Sequence, residues 1–185
     1  AASDPEVAAC FLGMGEVLEG IVACSRRLAA EAERLAERET RADRRAELET
    51  LARIHRRVPE HPAATFREGL TTVWTCWIAL HVENVNIGLS LGRLDQVLYP
   101  LYRRDVEAGT LTIGEAIELV ACLWLKIGDH VPLVPETGEQ LFGGAGSNQA
   151  ITIGGVDRDG RDAVNDLTYV MLRATELVRL RDPNL

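Results

Sequence analysis

The chain has 185 residues, of which 46% are hydrophobic, 26% charged and 5% aromatic, and its formal net charge is -8. The hydrophobic content excludes a disordered chain, and no run of about 18 consecutive apolar residues predicts a membrane span. Because arginines are interleaved with acidic residues, the charge argues against nucleic acid and anionic membranes as partners. The first residues lack a basic segment followed by an apolar one, so we expect no signal peptide and a cytoplasmic location.

Two helices are predicted in the first 57 residues. Ser3-Asp4-Pro5-Glu6 predicts the start of a long helix, because it offers a capping side chain, a proline for the first turn and an acidic residue. Residues 31–45 carry mixed charges and predict a solvated helix end and connection, and a second helix is expected over about 46–57. The apolar stripe of the first helix comprises Val7, Phe11, Met14, Leu18, Ile21, Ser25, Leu28, Ala32 and Leu35.

Val58-Pro59-Glu60-His61-Pro62 predicts a break, since proline removes a backbone donor and disfavours helical geometry before it. Thr112 and Glu115 have the spacing of a capping box and predict a helix start. The elements expected after the break are a helix over about 65–82, a short buried strand or extended stretch over 83–92, helices over 94–107 and 113–125, a long loop over 129–149, a strand over 150–155, a turn over 157–160 and a helix over 162–179.

Three short motifs invite chemical interpretations, and each is incomplete. Residues 143–147 are glycine-rich but do not follow a predicted strand or end in Lys and Ser or Thr, as a phosphate loop requires. Asp157-x-Asp159-Gly160 resembles the start of a calcium loop, but its glycine comes too early, and a plain turn is favoured. His81-x-Glu83 is half of a zinc-deaminase site, so we interpret His81 as a hydrogen-bonded core residue. The residues alone predict no metal site.

The four cysteines are far apart in the sequence and form no Cys-x-x-Cys pair that would indicate zinc or a redox dithiol. Three of them lie within apolar helical patterns. We therefore expect Cys10, Cys24, Cys76 and Cys122 to be buried, reduced thiols.

Several sequence blocks follow one another along nearly the whole chain. They are Arg57-Val58-Pro59, Phe66-Arg67-Glu68-Gly69-Leu70, the segments 92–100, 105–112, 118–126 and 151–157, Asn165-Asp166-Leu167-Thr168-Tyr169, and Pro183-Asn184-Leu185. In order and approximate spacing, these blocks are similar to the glycyl radical enzyme family, of which pyruvate formate-lyase is the namesake.

The resemblance implies an α/β fold in which the chain is a predominantly helical fragment of a ten-stranded α/β barrel, the first half-barrel of the pyruvate formate-lyase-like fold. Residues 1–185 would then be part of a single domain, with a helical hairpin region over 1–57 and a barrel-forming region over 58–185. The family's Gly-Cys-x-Glu and Arg-Val-x-Gly-Tyr segments are absent from this sequence. We therefore expect no catalytic residue, no bound cofactor or metal, and no activity of the fragment alone.

For the full-length protein, the resemblance implies radical C–C or C–X bond cleavage, or acyl transfer as in formate acetyltransferase, on a small organic substrate. It also implies a homodimer that carries a protein glycyl radical, installed by an iron–sulfur activating enzyme that uses S-adenosylmethionine. The alternative is a non-catalytic helical scaffold or interaction domain that keeps the family's sequence without its chemistry.

One matched segment concerns the substrate. Residues 83–88 correspond to Glu-Ser-Asn-Gly-His-Ser of diol-eliminating members, whose His and Ser contact substrate hydroxyl groups. The resemblance makes Asn86, Ile87 and Gly88 the candidate substrate-binding residues, although Ile87 and Gly88 offer no side-chain hydrogen bonds. Arg93 and Asp95 are expected instead to hold the strand-to-helix connection.

Overall fold

The computed structural model describes residues 4–83, 88–129, 136–137, 140 and 149–185. Two compact units divide the chain, one formed by Ala1–Ala63 with Thr71–Ala79 and the other by Ala64–Leu70 with Leu80–Leu185. The elements defined within the described ranges include helices α1 (Pro5–Arg38), α2 (Ala42–Arg57), α3 (Phe66–Glu83), α4 (Leu94–Val97), α5 (Tyr99–Glu107), α6 (Ile113–Asp129) and α7 (Asp166–Val178), and strands β1 (Ser90–Arg93) and β2 (Ala150–Thr152).

Helices α1 and α2 pack against each other in the first unit. α1 begins as predicted, because the Asp4 side chain accepts a hydrogen bond from Glu6 N at 2.9 Å. Pro5 has no backbone N–H, so the first turn has one donor fewer to satisfy. Small side chains allow the two helices to come close together. The buried residues are Ser25, Ala29, Ala32 and Ala36 of α1 and Leu48, Ala52 and Ile54 of α2.

The bounds predicted for the end of α1 are wrong. The segment expected over 31–45 as a helix end and connection is almost entirely helical, and only residues 39–41 join α1 to α2. The helix continues because Ala32 and Ala36 extend its buried face. The large side chains of the predicted stripe are mostly exposed, as Leu28 is at 46% and Leu35 at 42%, because α2 packs on the neighbouring alanine face.

A buried hydroxyl fixes the alignment of α1 with the end of α2. Ser25 is 1% exposed, and its Oγ donates to Val58 O at 2.7 Å and lies 2.9 Å from His55 Nδ1. Arg56 adds two surface hydrogen bonds to Glu33, of 3.0 and 2.6 Å, which lower the pKa of the Glu33 carboxyl. Because a buried polar atom needs a partner, Ser25 specifies one register of the hairpin.

The first turn of α3 is anchored within the second unit. Phe66 is fully buried; its N–H donates to Asp105 Oδ2 at 2.7 Å, and its ring meets that of Tyr102 edge-on with centroids 5.6 Å apart. Glu68 N donates to Thr65 Oγ1 at 3.2 Å, so a threonine caps this helix. These contacts hold the start of α3 against α5.

The single helix predicted over 94–107 is divided at Leu98 into α4 and α5. Pro100 lies in the first turn of α5, where the missing N–H costs nothing, whereas it would break a continuous helix. Gly69 of α3 lies against this division. A Cβ at Gly69 would be 2.9 Å from terminal carbons of Leu98 and Leu101, so the glycine permits the close approach.

Capping boxes start both α6 and α7. The predicted box is confirmed, since Glu115 N donates to Thr112 Oγ1 at 3.2 Å and Glu115 Oε2 accepts from Thr112 N at 2.8 Å. The same pairing with Thr112 lowers the pKa of the Glu115 carboxyl. α7 begins later than predicted, because Asn165 exchanges hydrogen bonds with Thr168 and becomes its cap.

Packing of α6 against α7 forms the core of the second unit. At its centre, Trp124 is fully buried and its Nε1 donates to Thr175 Oγ1 at 3.0 Å. The other buried apolar side chains of the two helices are Ala116, Val120, Leu123, Ile127, Leu167, Val170, Met171 and Ala174.

The two strands are parallel, with Ser90 opposite Ala150 and Arg93 opposite Thr152. On the other side of β2, Ile151 N donates to Asn184 O and Asn184 N donates to Gln149 O, both at 2.8 Å. β2 therefore lies between β1 and a third parallel segment. Of the buried strand or extended stretch predicted over 83–92, residues 84–87 lie outside the described residues and Ser90–Arg93 form β1. β1 is exposed or half-buried, because no element in the described ranges covers it.

The expectation of buried cysteines is wrong, because all four are free and exposed. A helical pattern shows which face of a helix is apolar, but it does not show whether another element covers that face. Cys10, for example, is followed by Phe11 and Leu12, which are themselves 64% and 71% exposed.

α1 is long and apolar enough, by length and composition, to cross a membrane. An uninterrupted apolar run does not reveal such a helix, because a spanning stretch can contain up to two charged residues. Length and composition are weak evidence, since core helices and signal sequences pass the same test. The absence of a membrane partner stays a prediction.

Candidate substrate-binding site

Of the three predicted substrate contacts, the structure describes one. Asn86 and Ile87 lie outside the described residues, whereas Gly88 is described and exposed. Gly88 comes two residues before β1, so the position of its backbone depends on how the start of that strand is held.

Leu89, between Gly88 and β1, is held by the residue that precedes β2. Its N–H donates to Gln149 Oε1 at 3.1 Å, and its carbonyl accepts from Ala150 N at 3.4 Å. Gln149 is fully buried, and its Nε2 lies 3.5 Å from Nε2 of His81 on the last turn of α3. The site thus combines an exposed glycine with a buried polar pair that connects α3, β1 and β2.

The interpretation of His81 as a hydrogen-bonded core residue is confirmed, because its side chain is 8% exposed and contacts Gln149. Among the described residues, no group of three or more His, Cys, Asp or Glu side chains could hold a metal ion. The His81-x-Glu83 pattern therefore gains no further ligands from the described part of the fold.

A second buried polar cluster follows β1. Asp95 is fully buried; its Oδ2 accepts from Gly154 N at 2.7 Å and from Thr168 Oγ1 at 2.6 Å, and its carbonyl accepts from Asn165 Nδ2 at 3.2 Å. Asp95 Oδ1 has no hydrogen-bond partner in the described part of the chain. Asp95 therefore links the start of α4 to the turn after β2 and to the cap of α7.

Arg93 completes this connection from the end of β1. Its guanidinium donates to Val156 O at 2.8 Å and also to Gly154 O. Gly154 and Gly155 have φ values of +63° and +80°, which other residues adopt at a cost, and a Cβ at Gly155 would lie 3.6 Å from Arg93 Nη2. The contacts agree with the expected role of Arg93 and Asp95 in holding the strand-to-helix connection.

Two motifs remain, the possible calcium loop at Asp157 and the glycine-rich segment over 143–147. Asp157 Oδ1 accepts from Asp159 N at 2.8 Å and from Arg161 N at 2.9 Å, so this carboxylate oxygen stabilises a turn, as favoured over a calcium loop. The glycine-rich segment over 143–147 lies outside the described residues.

Sequence reasoning missed Gln149, Asn165 and Thr168. Asn165 and Thr168 have the spacing of a capping box, so their local pattern could have revealed the start of α7. Gln149 gives no local signal, because its contacts with His81 and Leu89 are 68 and 60 positions away in the sequence.

The family model described as "Pyruvate formate lyase-like" matches residues 2–185. Isethionate sulfite-lyase of Nitratidesulfovibrio vulgaris is 37% identical over 171 residues, which are 91% of this chain and 21% of that protein. Trans-4-hydroxy-L-proline dehydratase of Clostridioides difficile is 32% identical over 174 residues, 92% of this chain and 22% of that protein.

Solved structures show the same relationship. A glycyl radical enzyme from Archaeoglobus fulgidus superposes with a TM-score of 0.84 and 43% identity over 90% of this chain and 21% of its own. A structure described as 1,2-propanediol dehydration in Roseburia inulinivorans gives a TM-score of 0.90 and 34% identity over 99% of this chain and 22% of its own. The chain thus spans about a fifth of the length of these relatives.

These similarities confirm the predicted fold class, since the neighbours share the pyruvate formate-lyase barrel fold and this chain is a predominantly helical part of it. The parallel order of β1, β2 and the segment at Asn184 is the local arrangement expected of that barrel. With a family model matching 2–185 and relatives above 30% identity, the chain belongs to the pyruvate formate-lyase-like family of glycyl radical enzymes.

Proposed function

We propose that the full-length protein is a glycyl radical lyase that cleaves a C–X bond, as in dehydration or C–S cleavage, in a small organic substrate. The observation that carries the proposal is the 37% identity to isethionate sulfite-lyase over 91% of this chain, together with similarity to several dehydratases. A protein glycyl radical, installed by an S-adenosylmethionine-dependent iron–sulfur activating enzyme, would supply hydrogen abstraction. We further propose a cytoplasmic homodimer.

This chain does not contain the reactive groups of the family. The sequence has neither Gly-Cys-x-Glu nor Arg-Val-x-Gly-Tyr, and the four cysteines are each preceded by Ala or Thr. We therefore propose that the 185 residues contribute part of the barrel wall and substrate contacts, and that they are inactive by themselves.

The proposed substrate contacts are Asn86, Ile87 and Gly88. Diol-eliminating members of the family offer His and Ser at the positions of Ile87 and Gly88, and an isoleucine and a glycine cannot replace those side-chain hydrogen bonds. We infer that the substrate is not a simple diol such as glycerol or propane-1,2-diol.

Acyl transfer of the formate acetyltransferase type is the second candidate. It is favoured by one sequence observation: pyruvate formate-lyase has two alanines at the positions of Ile87 and Gly88, so it also lacks side-chain hydrogen bonds there. The two candidates differ in their products. Acyl transfer to coenzyme A gives an acyl-coenzyme A, whereas elimination releases water or sulfite.

The test is anaerobic activation of the full-length protein by its activating enzyme. We expect a glycine-centred doublet in the electron paramagnetic resonance spectrum, and no doublet from the 185-residue chain treated in the same way. The activated protein is then assayed with isethionate, trans-4-hydroxy-L-proline, glycerol, propane-1,2-diol, and pyruvate with coenzyme A. Absence of the doublet, or absence of both family segments downstream of Leu185, would refute the enzyme and leave a non-catalytic scaffold.

A pair of substitutions tests the substrate contacts. The double variant Ile87→His with Gly88→Ser restores the side chains of the diol-eliminating segment, so we expect it to gain propane-1,2-diol dehydration that the unmodified enzyme lacks. Thr175→Val, which alters the α6–α7 core, is the matched control and gains none. Efficient diol dehydration by the unmodified enzyme would contradict the assignment of Ile87 and Gly88.

A further inference from the structure

Gln149 is a neutral polar side chain with no exposure to solvent, so its amide must find partners inside the protein. Its Oε1 accepts the Leu89 N–H at 3.1 Å, and its backbone carbonyl accepts the Asn184 N–H at 2.8 Å. A single residue before β2 thus reaches the start of β1 on one side and the third parallel segment on the other.

The side-chain contact extends the pairing of β1 and β2 toward the candidate site. Regular pairing begins at Ser90 and Ala150, and the backbone bond from Ala150 N to Leu89 O is long, at 3.4 Å. The bond from Leu89 N to Gln149 Oε1 is the shorter of the two that hold Leu89. Gly88 is bonded directly to Leu89, so this hold on Leu89 restricts the position of the Gly88 backbone.

His81 contacts the nitrogen of the Gln149 amide. Leu89 N–H is a donor, so the amide oxygen faces Leu89 and the amide nitrogen faces His81 Nε2 at 3.5 Å. An amide nitrogen can only donate, so a hydrogen bond at this contact uses His81 Nε2 as its acceptor. The contact therefore supports the amide orientation that presents Oε1 to Leu89.

We propose that Gln149 is a positioning residue for the substrate contact at Gly88 and that His81 acts through it by holding its amide. This inference rests on the proposed function, because it takes Gly88 as part of the substrate pocket. Gln149 itself touches no substrate; it sets the backbone position from which Gly88 contacts it.

The experiment uses the full-length protein and compares Gln149→Met, Gln149→Glu and His81→Phe with the unmodified enzyme. Gln149→Met keeps the length of the side chain and removes the acceptor for Leu89, whereas Gln149→Glu keeps an oxygen at that place. Thr175→Val is the matched control, since it also removes a hydrogen bond between side chains, to Trp124, within the same unit.

Two measurements are made on each variant. Hydrogen exchange at the Leu89 amide is expected to accelerate on the order of tenfold in Gln149→Met, as for loss of one hydrogen bond, and less in His81→Phe. With a substrate that the unmodified enzyme turns over, KM rises on the order of tenfold while kcat and the glycine-radical signal are unchanged. Gln149→Glu restores the protection of Leu89, and Thr175→Val leaves both quantities unchanged.

The outcomes separate the inference from the proposed function. Unchanged Leu89 exchange in Gln149→Met, or the same acceleration in Thr175→Val, refutes the inference whether or not the enzyme is active. Faster Leu89 exchange with an unchanged KM also refutes it, because the contact is then structural only. Absence of the radical or of turnover in the unmodified enzyme refutes the proposed function.

Discussion

Replacement of Asp95 is the sharpest test of how the turn after β2 is held. The carboxylate is fully buried, and its Oδ2 accepts from the buried Gly154 N–H at 2.7 Å and from the buried Thr168 hydroxyl at 2.6 Å. Asp95→Asn keeps an oxygen for both donors but removes the negative charge. It also places an amide nitrogen where Oδ1 has no partner among the described residues.

The magnitude follows from the two hydrogen bonds. Bonds to charged groups contribute about 1.5–3 kcal/mol each, and bonds between neutral groups about 0.5–1.5 kcal/mol. Asp95→Asn turns two bonds to a charged acceptor into two bonds to a neutral one, which costs about 2 kcal/mol in all. Since about 1.4 kcal/mol is tenfold, the equilibrium constant for local opening rises by a factor of about 30. Asp95→Ala leaves both donors unsatisfied and costs about 2–6 kcal/mol.

The assay is native-state hydrogen exchange at the Gly154 amide in the full-length protein, which reports local opening. We expect exchange about 30-fold faster in Asp95→Asn and faster still in Asp95→Ala. Asp157→Asn is the matched control, because Asp157 also accepts two hydrogen bonds but is exposed. A change below about threefold in Asp95→Asn, or an equal effect of Asp157→Asn at Gly154, would show that burial of the charge does not stabilise this turn.

Three further predictions concern single sites. Ser25→Ala leaves the buried Val58 carbonyl without its hydroxyl donor and should destabilise the hairpin of α1 and α2 by about 1–3 kcal/mol. The measurement is hydrogen exchange of the α2 amides. Unchanged exchange would show that Ser25 does not specify the register of the hairpin. Gly69→Ala forces a Cβ to within 2.9 Å of terminal carbons of two leucines, an overpacking cost of about 1–3 kcal/mol that exceeds the gain of about 1 kcal/mol in helix propensity, so the second unit should be destabilised by up to about 2 kcal/mol in thermal unfolding. A stabilised variant would show that the leucines yield freely. Because the folded-state pKa of Glu115 is lowered by Thr112, the capping contribution is present above the unfolded-state pKa and is lost as pH falls through the folded-state value. Glu115→Gln should remove that part of the pH dependence of amide hydrogen exchange in α6. An unaltered pH dependence in the variant would contradict the prediction.

Local chemistry explains what the sequence could predict. The starts of α1 and α6 could be predicted because Asp4 and Thr112 accept hydrogen bonds from backbone N–H groups within three residues of themselves. The signal therefore lies in neighbouring residues of the sequence. The turn at Asp157 was found for the same reason. In these three cases the physical cause is local, and the pattern and the structure agree, although the equally local capping box at Asn165 was missed.

Contacts between distant segments explain other differences between prediction and structure. The exposure of Cys10 and the alanine face around Ala32 depend on where α2 packs, and periodicity within α1 does not contain that information. The role of Gln149 depends on Leu89, 60 positions earlier. The candidate site itself came from the family resemblance, since no side-chain chemistry in residues 86–88 marks it.

The separation of Leu89 from Gln149 also affects how the protein is made. At about 5–20 residues per second, the ribosome needs roughly 3–12 s to synthesise the 60 residues between them. Local structure forms on the microsecond timescale, so the Leu89 amide stays hydrated for far longer than local folding takes. During synthesis, β1 can therefore pair with β2 only after Ala150 has been added, and its edge stays unpaired until then.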